Sequence, residues 1–199
     1  MPIPGPAADD EGLARTALRR PGEEDEMSSA PATAAGSRPF AASQAWWFLG
    51  TLVVEHRMAT SDLPVILEST LPVGAAPPRH LHNDADDSYY LLAGEIVVRS
   101  GDQMSLARPG QWVSLPRGVP HSFRVVGSEP ARMLGVHADA GFVEFIHDLG
   151  EPAAALELPP PGDGPSLEDL SRSMAEHDVI VVGPSMTEDE ARAFLASLG

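Results

Sequence analysis

Two histidines stand two residues apart at His80 and His82, and three carboxylates, Asp84, Asp86 and Asp87, follow them closely. On an extended strand, residues i and i+2 point to the same face. His80 and His82 can therefore aim two imidazoles at one point inside a sheet or barrel. Imidazole nitrogen combined with carboxylate oxygen suits zinc, iron, nickel, copper or manganese. One divalent transition metal is the expected cofactor, and these residue types do not choose among the five.

The elements that must position these groups read as short strands. Residues 46–54 form an aromatic and β-branched run, expected to be a first strand. Pro64 to Leu71 reads as the next, and a Pro- and Gly-containing turn then leads to the histidines. Ser88 to Leu92 and Glu95 to Ser100 flank Gly94, which predicts a hairpin. Trp112 to Leu115, His121 to Val126 and Ala131 to Ala138 complete the set. Strands this short, separated by regularly placed turn residues, predict an all-β antiparallel barrel or sandwich. Beyond residue 140, Phe142, Phe145, Ile146 and Leu149 recur at helical spacing. Ser166 and Thr187 then cap two further helices, with an apolar strand-like piece at Asp178 to Val182 between them. The expected organisation is a flexible arm over 1–42, a barrel over 43–147, and a linker with helical extension over 148–199. The extension is expected to pack outside the barrel or over its mouth.

The chain resembles the cupin superfamily. Its first motif reads Gly74, five residues, His80-Leu-His82, four residues, Asp87, six residues, Gly94. The second reads Gly110, five residues, Pro116-Arg-Gly118, two residues, His121. Both fit the family pattern, with two departures: Asp87 replaces a Glu, and Val125 replaces a frequent Asn. The resemblance implies a single jelly-roll barrel with His80, His82, Asp87 and His121 converging on a metal. Asp is one methylene shorter than Glu, about 1.5 Å of reach. Asp87 could ligate directly after a small strand shift, ligate through water, or stay free of the metal. In that last case it could act more fully as the catalytic base toward a substrate hydroxyl, a role the matching Glu has in quercetinase-type relatives. Residues 46–53 and 141–152 extend the similarity to small bacterial quercetin 2,3-dioxygenase-like proteins, which implies oxygenase chemistry on a phenolic or polyketide-like molecule.

Large side chains of the barrel region would line an apolar small-molecule cavity. Tyr89, Tyr90, Trp112, Phe123, Met133 and Phe142 are the expected pocket residues, with only one of Tyr89 and Tyr90 facing in. The chain has no Cys, which excludes thiolate nucleophiles and Cys-ligated metals. It has no Lys either, since all 13 basic residues are Arg, so Schiff-base chemistry is excluded. A net charge of −16 argues against nucleic-acid and anionic-membrane partners. The opening residues lack a signal-peptide pattern, and a cytoplasmic location is expected. The expected partners are a small-molecule substrate, dioxygen, and a second copy of the chain in a homodimer. Two other functions fit the same residues. One is a cyclase, isomerase or dehydratase with a non-redox metal or none, and the other is a binding module without turnover.

Overall fold

The computed structural model describes residues 45–56, 65–137, 141–162 and 164–199. The expected arm over 1–42 lies outside the described residues. Apolar runs cut by Gly and Pro pair here as antiparallel strands. In order they are β1 (Ala45–Phe48), β2 (Thr51–His56), β3 (Val65–Leu71), β4 (Arg79–Leu81), β5 (Asp87–Ala93), β6 (Glu95–Ser100), β7 (Gln103–Ala107), β8 (Trp112–Leu115), β9 (His121–Val126) and β10 (Ala131–His137). The extension adds α1 (Gly141–Leu149), β11 (Glu151–Pro152), α2 (Leu167–Glu176), β12 (Ile180–Gly183) and α3 (Glu188–Ser197).

The strands form two sheets, one in the order β11-β1-β2-β3-β10-β5-β8 and the other β12-β4-β9-β6-β7. Their inner faces share one core. Leu71, Leu91, Leu115 and Met133 from the first sheet pack with Ile96, Val98, Phe123 and Val125 from the second. The all-β antiparallel barrel expected from the sequence is the observed fold, with a helical C-terminal extension.

Two local expectations are corrected. The apolar run over 46–54 is a hairpin of two strands, β1 and β2, rather than one strand. Leu49 and Gly50 both take positive φ, 49° and 78°, and turn the chain back on itself. Apolar residues occupy both sides of that turn, so periodicity could not reveal it. The second correction is at Gly94, which does not close a hairpin. β5 pairs with β10 and β8, whereas β6 pairs with β7 and β9. Gly94 therefore carries the chain from one sheet to the other.

The extension meets the barrel through β11 on β1, through β12 on β4 and through α3. α3 sets Ala191 and Phe194 against Val97, Leu106 and Val126 on the outside. Arg99 of β6 donates to Glu190 at 2.9 Å, and the Thr187 amide and hydroxyl donate to the same carboxylate. Glu190 is held down to about 2, first by the Thr187 amide and then by Arg99 and the Thr187 hydroxyl. Its folded pKa lies below the ordinary 4.5, so its stabilising contribution is complete above pH 4.5 and is lost as pH falls toward 2. The side chain is 43% exposed, and screening reduces that contribution to about 1 kcal/mol. Amide exchange in α3 should therefore quicken between pH 5 and 3 relative to the barrel strands. Equal protection of α3 at both pH values would contradict this docking.

Candidate metal centre

Four side chains converge where β4, β5 and β9 meet. His80 lies in the short strand β4, and His82 follows its last residue. Asp87 opens β5 and His121 opens β9, with His80 and His121 directly opposite each other across the strand pair. The loops between these strands are tied together. The Gly118 amide donates to the His82 carbonyl at 2.7 Å, which joins the turn before His121 to the segment bearing the first two histidines. Arg117 donates through its backbone amide and its guanidinium to Asp86. Asp86 is thus a loop tie, while Asp84 lends its amide to Asp178, so neither reaches the cluster.

The ligand atoms of His80, His82, Asp87 and His121 all lie within 4.8 Å of one another. His82, Asp87 and His121 are buried, with 7%, 4% and 2% of their surface exposed. Asp87 Oδ2 stands 3.5 Å from His82 Nε2 and 3.3 Å from His121 Nε2. A four-coordinate ion with metal–ligand bonds near 2.1 Å separates its ligands by about 3.4 Å. The shorter Asp thus reaches ligand spacing without help. Both of those Nε2 atoms are buried and lack any hydrogen-bond partner, which is costly for a polar atom unless something else occupies it. The Nδ1 atoms of His80 and His121 are bonded to the carbonyls of Pro78 and Val119, at 2.8 and 2.9 Å. Those bonds place the proton on Nδ1 and turn the lone pair of each Nε2 inward, as a metal-bound imidazole needs. The four residues fit a divalent metal.

The electrostatics agree. Burial, with the neighbouring imidazoles of His121 and His82, lowers His80 to about 4 against the pull of the Pro78 carbonyl, so it is neutral at physiological pH. Burial would raise Asp87, but the imidazoles of His121 and His82 hold it well below the usual carboxylate range. Burial would likewise lower His82, but adjacent Asp87 leaves it raised. Tyr89 donates its hydroxyl to Asp87 Oδ2 at 2.8 Å. Burial and the Asp87 charge push that phenol well above its ordinary value, so it remains a donor.

A cavity of about 440 Å³ opens beside this cluster, bounded by His80, His82, Asp87 and Tyr89. Phe123, Met133 and Phe142 are among the residues that line it. Tyr90 and Trp112 do not. They are 37% and 54% exposed, their rings are 6.4 Å apart, and they stand on the outer face. Strand alternation sends Tyr90 out once Tyr89 points in, and Trp112 is paired with Tyr90 across β5 and β8, hence on the same face. Several lining residues were not foreseen. Phe48 and Phe145 come from β1 and α1, and Leu170, Met174 and Val179 come from the extension. His137 also lies in the cavity wall and stacks on Phe142 at 4.8 Å. Its place two residues after Gly135 on β10 was the available signal. A larger depression, about 520 Å³, runs along β7 and β8 and contains none of the four ligand residues.

Residues 67–137 match the family model described as Cupin domain. The chain is 25% identical over 129 residues to quercetin 2,3-dioxygenase of Bacillus subtilis (strain 168), covering 64% of this chain and 38% of that protein. It thus spans about two fifths of that curated enzyme's length. A Thermus thermophilus protein of solved structure is 33% identical, over 44% of this chain and 83% of its own, with a TM-score of 0.38. A Cupin 2 conserved barrel domain protein from Salinispora arenicola CNS-205 is 17% identical, over 58% of this chain and 98% of its own, with a TM-score of 0.46.

Proposed function

The chain belongs to the cupin superfamily, and from that premise we propose that it is a metal-dependent enzyme of the dioxygenase type, acting on a phenolic or polyketide-like small molecule. The observation that carries this reading is one cavity lined both by residues of the ligand group and by a largely apolar wall. His80, His82 and Asp87 of the ligand group line it, and apolar side chains such as Phe48, Phe123, Phe142 and Met174 make up most of the remaining wall. Such a cavity suits a flat, mostly apolar ligand with a few oxygens to be read at fixed points.

His80, His82, His121 and Asp87 would hold the metal. When bound, the metal would supply a Lewis acid for a substrate oxygen and a place for dioxygen. The remaining work falls to the chain. Asp87 is ionised and lies at the cavity edge, where it can take the proton of a substrate hydroxyl. Tyr89 holds that carboxylate in place through its 2.8 Å bond. His137, fixed in plane by Phe142, offers a polar contact for a second substrate oxygen. Leu170, Met174 and Val179 add apolar surface to the wall, which lowers the local polarity and strengthens charge interactions beside it. No helix of the described residues is long and apolar enough to cross a membrane.

A second reading is favoured by the Tyr89–Asp87 pair, which joins a donor and an ionised acceptor in one buried contact. Such a pair can move protons in a cyclisation, dehydration or isomerisation without dioxygen. Quercetin added to metal-loaded protein in an oxygen electrode separates the two. Oxygen uptake matched by loss of flavonol absorbance is the expected result. Turnover that continues under argon would replace the oxygenase reading with the second. Tight binding without turnover would leave a binding module.

A further inference from the structure

Among the described residues, the supports of the three histidines differ in kind. The rings of His80 and His121 each bond a carbonyl two residues earlier in their own strand approach. For His82 the corresponding help comes from the C-terminal extension, which holds the two residues that follow it. The contact is made by the Asp178 carboxylate. Its Oδ2 accepts from the amides of Asn83 and Asp84 at 2.7 and 3.1 Å, and its Oδ1 accepts from the Asn83 side chain at 3.0 Å. These bonds fix the backbone immediately after His82, and with it the direction in which that ring leaves β4.

Asp178 makes these contacts from a left-handed backbone conformation, φ 55°. That conformation costs a residue with a side chain on the order of 1 kcal/mol, and the three accepted bonds offset it. The next residues carry the connection onward. Val179 lines the cavity, and β12 pairs with β4, placing Val181 opposite His80 and Ile180 opposite Leu81. One stretch of extension therefore touches the ligand strand along its whole length and forms part of the cavity wall.

We propose that Asp178 is a positioning residue for His82, and that the extension is thereby a working part of the metal-binding group. This rests on the reading of that group as a metal site. Substituting Asp178→Gly removes the carboxylate while relieving the backbone, so any loss reports the contacts and not strain. Asp178→Asn keeps an acceptor for the two backbone amides.

The test is Zn²⁺ affinity of the full chain, measured by competition with a chromogenic chelator. Asp178→Gly should bind about tenfold more weakly or worse, as loss of a partner that orients a metal-bound histidine does. Asp178→Asn should bind close to the parent. Equal affinity of the glycine variant and the parent would overturn the proposal while leaving the metal site intact. A parent chain that binds no Zn²⁺ would instead sink the metal reading and this proposal with it. If the glycine variant does not fold, hydrogen exchange on the parent decides. Zn²⁺ should raise the protection of segments 83–84 and 178–183 together, and a gain confined to 83–84 would overturn the proposal.

Discussion

Replacing His80 or His121 with alanine should leave the purified protein without bound metal and without activity. Each removes one imidazole from a set of three, and no other described histidine or acid lies within reach of the cluster to substitute. Removing a partner that merely orients a ligand costs roughly ten- to hundredfold in affinity, and loss of a ligand itself should cost more. His80 is the cleaner of the two variants. It is held neutral to about pH 4, so at neutral pH it competes with no proton for the metal, and it is less deeply buried than His121. His121→Ala also empties a site that is 2% exposed, and a loss of stability will accompany the loss of metal. Elemental mass spectrometry on protein purified without added metal, with circular dichroism to confirm folding, checks both variants. Full metal content in either one would show that the ligands have been misassigned.

The second large effect is expected at Gly94, the glycine that ends the first motif. It takes φ 71° where the chain crosses between sheets. A Cβ there would lie 2.6 Å from the Pro130 carbonyl oxygen and 2.7 Å from Ala131 Cα, both backbone atoms that cannot swing aside. Ala131 is fully buried and is the first residue of β10. Gly94→Ala therefore forces an alanine into the left-handed region and also pushes β10 away from β5. Together these should cost about 3 kcal/mol or more, and lower Tm by about 10 °C for a chain of this size. Gly127→Ala is the control. Its φ is 83°, but a Cβ there meets nothing within 4 Å, so it should lose only the backbone part, about 1 kcal/mol. If the two variants melt together, close approach is not the reason for glycine at 94.

What could be read in advance follows from how far each signal extends along the chain. The placing of His80, His82, Asp87 and His121 depends on short spacings within two motifs, and the structure brings all four together. The reach of Asp87 was open because it depends on where β5 begins, and β5 begins at Asp87 itself. The Leu49–Gly50 turn was hidden because apolar residues flank it on both sides. Partner choice at Gly94 was hidden for another reason. A hairpin and a crossover between sheets ask for the same glycine, and only contacts with the distant β9 and β10 tell them apart. Trp112 was placed in the cavity by its size, and Tyr90 stood as the alternative to Tyr89, whereas register puts both outside. The roles of Met174, Asp178 and Val179 come from contacts across most of the barrel, for which the local sequence carries no mark beyond an apolar run and a cap.

The pairing of β12 with β4 has a consequence for synthesis. Asp178 is made 95 residues after Asn83. At roughly 5–20 residues per second, the ribosome reaches it about 5–20 s later. Until then the strand carrying His80 has only the single-residue match to β9 and no outer neighbour. A nascent chain can collapse its barrel around Ile96 and Leu91 while its histidine edge is still loose. The segment that follows His82 is therefore braced from outside only late in synthesis.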